Sequence, residues 1–291
     1  MDLRKQSVLF AAGAALCWGL MDALAKIPTQ ELDSVSLSFT RGFLIVVGLL
    51  AANEAFIRQK IDSKNAFSKV MWLYGITFVF GSVGLFFSIG KIGVGTAVFL
   101  MYTSPIIASA IAFFFLGEHL SPKKIAALLF GVAGVYLLYS PTSGVSEIGI
   151  AAGIFAAINL AIYTVAARKF SSKISTTEAT FWMVAIQTAL MVPFANYGSI
   201  TSMSGISFLA MIGLAILFIA GNMLLLTAMR GLDVATASTT MLLEPLGAAA
   251  AGMLIFSESH SSTAMAGFAL IGIGALLVAV QEGRKSNRGK K

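Results

Sequence analysis

Charge is what this sequence has least of. Charged residues make up 11% of the 291, against about a quarter in an average soluble domain. Histidine occurs twice and cysteine once, at Cys17, so no intramolecular disulfide can form and no redox compartment is implied. His119 and His260 stand without a second ligand at metal spacing. There is no G-x-x-x-x-G-K-[ST] phosphate loop, no HExxH and no nucleophile triad, which argues against ATP-driven transport and against enzymes built on those constellations. No cofactor or metal site is expected.

Apolar residues, in contrast, supply 57% of the chain, with a mean hydropathy of +0.87. One soluble core cannot hide that much. A membrane span needs roughly 20 apolar residues to cross about 30 Å of hydrocarbon, and ten such runs are present, near 8–27, 34–57, 70–90, 93–116, 123–140, 147–168, 176–195, 206–229, 233–256 and 262–280. Their separators are short and polar: Pro28, the charges of 58–69, the turn at 116–124, SPTSG at 140–144 and the stretch 196–205. The expected fold is therefore an all-α membrane protein with ten transmembrane helices. The run after Arg4 and Lys5 has no small-x-small cleavage pattern, so it reads as a retained span.

The formal net charge is +7, and position explains it. With the N-terminus cytoplasmic, seventeen of the 20 basic residues fall on the cytoplasmic side: Arg4 and Lys5, and those in the segments around 58–69, 123–124, 168–173, 230 and 284–291. Lys26 and Lys91 fall opposite, and Arg41 lies within a span. The positive-inside rule then places both termini in the cytoplasm. The basic tail can also touch anionic membrane lipid. Nucleic acid is not needed as a partner.

A single offset of 140 residues aligns the two halves without a gap: Pro105 falls on Pro245, Glu118 on Glu258, Ser121 on Ser261, Gly81 on Gly221 and Gly134 on Gly274. Five spans per half means the second half, 141–291, enters the membrane from the side opposite to the first, 1–140. Two inverted five-helix repeats are a signature of secondary transporters, because exchanging the conformations of similar halves turns a cavity from one face to the other.

With these residues in view, TSPIIASAIAFFFLGEHLSPKKIAALLFGVAGVYLL at 103–138 and LEPLGAAAAGMLIFSESHSSTAMAGFALIGIGALLV at 243–278 resemble the EamA-type members of the drug/metabolite transporter superfamily. CWG at 17–19 and SFTRGF at 38–43 are similar to that family's first two helices. One departure is FSES at 256–259 where the first half has FLGE, which loses the turn glycine. The resemblance implies a central cavity and transport of small metabolites, commonly export of amino acids or related compounds, across the inner membrane. Nucleosides, sugars and quaternary amines stay open as cargo, as does a channel.

Polar residues inside the spans are the candidates for the small-molecule site, since a charge at the bilayer centre costs at least about 2.5 to 3.5 kcal/mol. Glu244 sits near mid-span beside Pro245, which cannot join the helical ladder. It can pair with a cationic part of the cargo, exchange a coupling proton, or serve packing alone. Its repeat mate Pro105 is preceded by Ser104, so the break is shared and the charge is not. Pro105 and Pro245 are the expected hinges. Asp22 and Arg41 fall at similar depth in neighbouring spans; they can form an ion pair, Arg41 can snorkel outwards, or its planar fork can take a substrate carboxylate. Asn159 and Asn222, and less so Gln187, fall at mid-depth. Trp18, Tyr102 and Tyr163 can stack on cargo. Glu118 and Glu258 look like turn pins. The glycine-rich last helices, GVAGVY at 131–136 and GFALIGIGA at 267–275, suit close packing within the bundle or between protomers, leaving monomer and homodimer both open.

Overall fold

The structure is a computed structural model that describes residues 3–52, 54, 61–62, 64, 68–139, 146–171, 173–257 and 261–288. The charge cluster around 58–60, the 140–144 break with the boundary between the halves, Glu258, His260 and the last three residues lie outside the described residues. Among the described residues every regular element is helical: α1 (Leu3–Ala25), α2 (Ser34–Ala52), α3 (Lys69–Ile92), α4 (Val94–Met101), α5 (Ser104–Leu116), α6 (Pro122–Tyr139), α7 (Glu147–Phe170), α8 (Thr176–Met191), α9 (Tyr197–Ser202), α10 (Gly205–Ala228), α11 (Val234–Met241), α12 (Glu244–Phe256) and α13 (Ser262–Arg288).

Nine helical stretches among the described residues are long and apolar enough to cross a bilayer. The expected seventh span, 176–195, differs. Its helix α8 has 16 residues, about 24 Å at 1.5 Å per residue, and then tightens into a 3-10 turn at Val192–Phe194. Pro193 lacks the amide that would extend the helix.

The fourth and ninth spans are each two helices in line. Both break at corresponding places: α4 ends at Met101 and α5 starts at Ser104, while α11 ends at Met241 and α12 starts at Glu244. Those bounds coincide under the offset of 140. In both, proline is the second residue of the new helix, where a missing amide costs nothing. The chain passes the second break through tight bonds from Leu242 N to Thr239 O (3.2 Å) and Leu243 N to Thr240 O (3.0 Å). Gly117 ends α5 in the left-handed region at φ 66°; Ser257 ends α12 at φ 53°, so the serine holds the turn for which the first half uses glycine.

The packing partners also exchange between halves. α1 lies on α10 and α12, whereas α7 lies on α3 and α5. The last helices of the halves, α6 and α13, lie on each other. Bare glycine backbone makes this last crossing possible: a Cβ on Gly134 would meet Gly267 O at 2.6 Å, and one on Gly274 would meet Ala127 O at 2.7 Å. The glycine stripes expected to pack helices therefore do so within the chain. Tyr74, Tyr163, Phe218, Met183 and Met211 fill the buried centre, while Phe114, Phe115, Leu254 and Leu276 stand on the outside, as lipid-facing side chains do.

Candidate functional site

A cavity of about 700 Å³ opens between α1, α2, α3, α4, α6, α7, α10 and α12. Its rim carries Lys26, Thr29 and Ser34, at the end of the bundle away from the N-terminus, and its floor is set by Trp18, Tyr102 and Glu244. The floor exists because of the break. Glu244 is the first residue of α12, brought against α1 at Gly19, where a Cβ would meet Ala248 N at 2.6 Å and Gly247 C at 2.8 Å. On the other side of the floor lies a second space of about 50 Å³, lined by Ser104, Pro105, Tyr163, Thr164 and Ser238. Trp18, Tyr102, Leu160 and Glu244 line both.

Within the floor, the Glu244 and Asp22 carboxyl groups lie close enough to act on each other directly, as do the Tyr102 hydroxyl and Glu244. Two carboxyl groups can share a hydrogen bond only when one proton sits between them. Arg41 stands apart from this pair. Among the described residues its hydrogen-bond partner is Met21 Sδ, 3.7 Å from Nη1, and its guanidinium stacks 5.0 Å from the Phe218 ring centre. Asp22 acts on it only through space. Of the alternatives open from sequence, the Asp22–Arg41 ion pair does not form: Asp22 approaches Glu244, and Arg41 lines the cavity. Phe218 stacks in turn on Trp18, with ring centres 6.3 Å apart, and the indole seats on the bare backbone of Gly221.

Of the residues singled out from sequence, Trp18, Asp22, Arg41, Tyr102, Glu244 and Pro245 line the large cavity. Tyr163 and Pro105 line the small one. Asn159 and Asn222 line neither. Asn159 donates to Phe155 O of its own helix at 2.8 Å. Asn222 is fully buried; Tyr163 donates to its Oδ1 at 2.9 Å, Tyr74 lies 3.3 Å from the same atom, and its Nδ2 donates to Thr180 Oγ1 at 2.8 Å. Its capacity goes to joining α3, α7, α8 and α10. Among the described residues Gln187 reaches only Met191 Sδ, at 4.0 Å.

Tyr139 is not among the sequence candidates. It stacks on Tyr102 at 6.3 Å and lines the cavity with Ser38, Thr77, Phe78 and Ser82. A signal for these is present: 34, 38 and 41 on α2, and 78, 82 and 86 on α3, recur at the three- and four-residue spacing that keeps side chains on one helix face.

The N-terminal end of the bundle is closed. Lys124 at the start of α6 pairs with Asp233 before α11. Arg168 at the end of α7 holds Glu118 Oε1 at 3.3 Å and Met229 O at 2.8 Å. Burial pushes the Glu118 carboxyl above its usual range. Burial acts on Asp233 the same way, but the hydrogen bond and charge of Lys124 outweigh it and hold that carboxyl below its usual range. Glu118 is the turn pin anticipated from sequence.

The EamA-like transporter family matches residues 5–140 and 147–280. The chain belongs to that family. As an EamA-like protein it is a membrane transporter, matched once by each half. It is 24% identical over 281 residues to the pseudopaline exporter CntI of Pseudomonas aeruginosa, covering 95% of this chain and 96% of that one. It is also 24% identical over 273 residues to the S-adenosylmethionine uptake transporter of Rickettsia felis, covering 92% and 90%. A protein crystal structure superposes with a TM-score of 0.75 at 21% identity, covering 96% of this chain and 98% of its own, a likeness of fold alone.

Proposed function

We propose that this EamA-like transporter carries a small zwitterionic metabolite, an amino acid or a relative of one, across the cytoplasmic membrane by alternating access, with export as its direction. The observation that carries the reading is the cavity that holds the Arg41 fork and the Asp22–Glu244 carboxyl pair together. A carboxylate takes two parallel hydrogen bonds from a guanidinium, and an amino group suits the carboxyl pair. Substrate contacts come from Glu244, Arg41, Asp22, Trp18 and Tyr102. Pro105 and Pro245 mark the hinges at the two breaks. The coincident helix bounds and exchanged packing partners support two inverted five-span repeats with the short α8 as a seventh span. The basic end is then cytoplasmic, the cavity faces outwards, and protons are the coupling ion. The work done is transport rather than catalysis.

The cargo is tested by thermal shift of the purified protein against amino acids, nucleosides, sugars and quaternary amines. A ligand at 100 times its Kd stabilises by about 2.7 kcal/mol. Amino acids should raise the melting point and their decarboxylated analogues should not; a response confined to sugars or nucleosides overturns the reading. A second reading, a quaternary amine cargo, draws on the aromatic rings of Trp18, Tyr102 and Tyr139 around the carboxyl pair. Export is supported by the name of the pseudopaline exporter, and the S-adenosylmethionine relative is named for uptake. Transport assays in vesicles of both orientations decide direction.

A further inference from the structure

Glu244 lines spaces on both sides of the cavity floor, and the smaller of them has a chemistry of its own. Its lining carries the hydroxyls of Ser104, Thr164, Ser238, Tyr102 and Tyr163, the Trp18 indole and Glu244 itself, among apolar side chains. Thr164 Oγ1 is committed to Leu160 O at 2.8 Å. Ser238 is 4% exposed, and its Oγ is buried without a hydrogen-bond partner. Leaving a buried hydroxyl unpaired is costly unless something polar visits it. The space of about 50 Å³ exceeds the roughly 10–15 Å³ that a single water needs. Ser104 and Glu244 are also repeat mates, the first residues of α5 and α12, so the space lies where the two broken helices face one another.

We propose that this pocket is the inner proton site of the transporter, passing a proton between Glu244 and the N-terminal side of the bundle while the large cavity serves the opposite side. In the inward step the Glu244 O–H gives its proton to a water held by Ser238 and Ser104, leaving a carboxylate and a hydronium ion that departs towards the N-terminal face; reprotonation runs through the large cavity. The groups facing Glu244 are Asp22 from α1, Tyr102 from the α4–α5 break, Arg41 from α2, Tyr139 from α6 and Tyr163 from α7. On the large-cavity side Asp22 is the proton-sharing neighbour of Glu244; on the other side that part falls to the water that Ser238 and Ser104 hold. The inference deepens the carrier reading and rests on it for its physiological meaning.

Trp18 borders both spaces and can report the event without any cargo. In a Trp72→Phe, Trp182→Phe background, Trp18 fluorescence is followed in proteoliposomes after pH jumps applied to one face at a time. The expected result is a response to either face that Glu244→Gln abolishes. Ser238→Val should slow the response to the N-terminal face by at least about tenfold and leave the other unchanged, and Ser104→Ala should act in the same direction. Normal responses on both faces in Ser238→Val and Ser104→Ala overturn the proposal, as does equal loss on both faces in a variant with an unchanged melting point. A wild-type protein that shows the two-sided response but no thermal shift with any amino acid would remove the cargo assignment alone.

Discussion

Glu118 Oε2 accepts the backbone amide of Val234 at 2.7 Å across 116 residues of sequence. The turn that ends α5 is thereby fixed to the start of α11, and Asp233, one residue earlier, takes Lys124 from α6 while capping α11 through Thr236 N at 2.9 Å. These contacts tie the ends of α5, α6, α7 and α11 together at the N-terminal end of the bundle. Under the 140-residue offset, Lys124 and Asp233 correspond to Ala264 and Gly93, so the other end has no matching pair.

Asp233→Ala removes a cap and leaves the buried Lys124 charge uncompensated, at a cost of about 3 to 5 kcal/mol; thermal unfolding in detergent measures it. Asp233→Asn keeps the cap and should lose less. Because the folded state holds the Asp233 carboxyl below its ordinary value of 3.8, its contribution is present above that pH and is lost as pH falls through the folded value. The difference in melting point between wild type and Asp233→Asn should hold steady from about pH 8 to 5 and shrink only under stronger acid.

Glycine substitutions should have opposite signs at two places. Gly19→Ala puts a methyl into the backbone of α12 at Ala248, and overpacking of this kind costs about 1 to 3 kcal/mol while displacing Glu244. A Cβ on Gly48 in α2 would meet nothing within 4 Å, so Gly48→Ala should stabilise by about 0.5 to 1 kcal/mol. Parallel melting curves check both.

Arg41→Lys keeps the charge and loses the fork. Loss of one charge-assisted hydrogen bond, about 1.5 to 3 kcal/mol, lowers affinity for a carboxylate cargo by roughly ten- to a hundredfold, with an unchanged melting point. Calorimetric binding is the measurement; retained affinity assigns Arg41 to packing.

Asn222→Ala should do the reverse. It takes the acceptor from the Tyr163 hydroxyl in the buried centre at about 1 to 3 kcal/mol, while Thr180 keeps its bond to Thr176 O, so the melting point falls and cargo affinity in the surviving folded protein stays close to wild type.

Much of the site is legible in the sequence because an apolar solvent makes polar residues conspicuous. Glu244, Asp22, Arg41, Trp18 and Tyr102 stand out as expensive or amphipathic groups at mid-span, and all five meet at one cavity. Asn222 stands out for the same reason, yet sequence cannot say whether an amide at that depth faces a cavity or other side chains. Tyr139 escapes notice because a tyrosine near a span end reads as an interface anchor.

Sequence by itself determined that the chain spans a membrane, that its halves share one pattern at a fixed offset, and where the fourth and ninth spans break, because hydrophobic length, residue identity and proline chemistry are local properties. Tertiary structure alone decided that Asp22 approaches Glu244 rather than pairing with Arg41, and that the guanidinium rests on Phe218. Those outcomes depend on which helix faces meet, and only the packed bundle sets them.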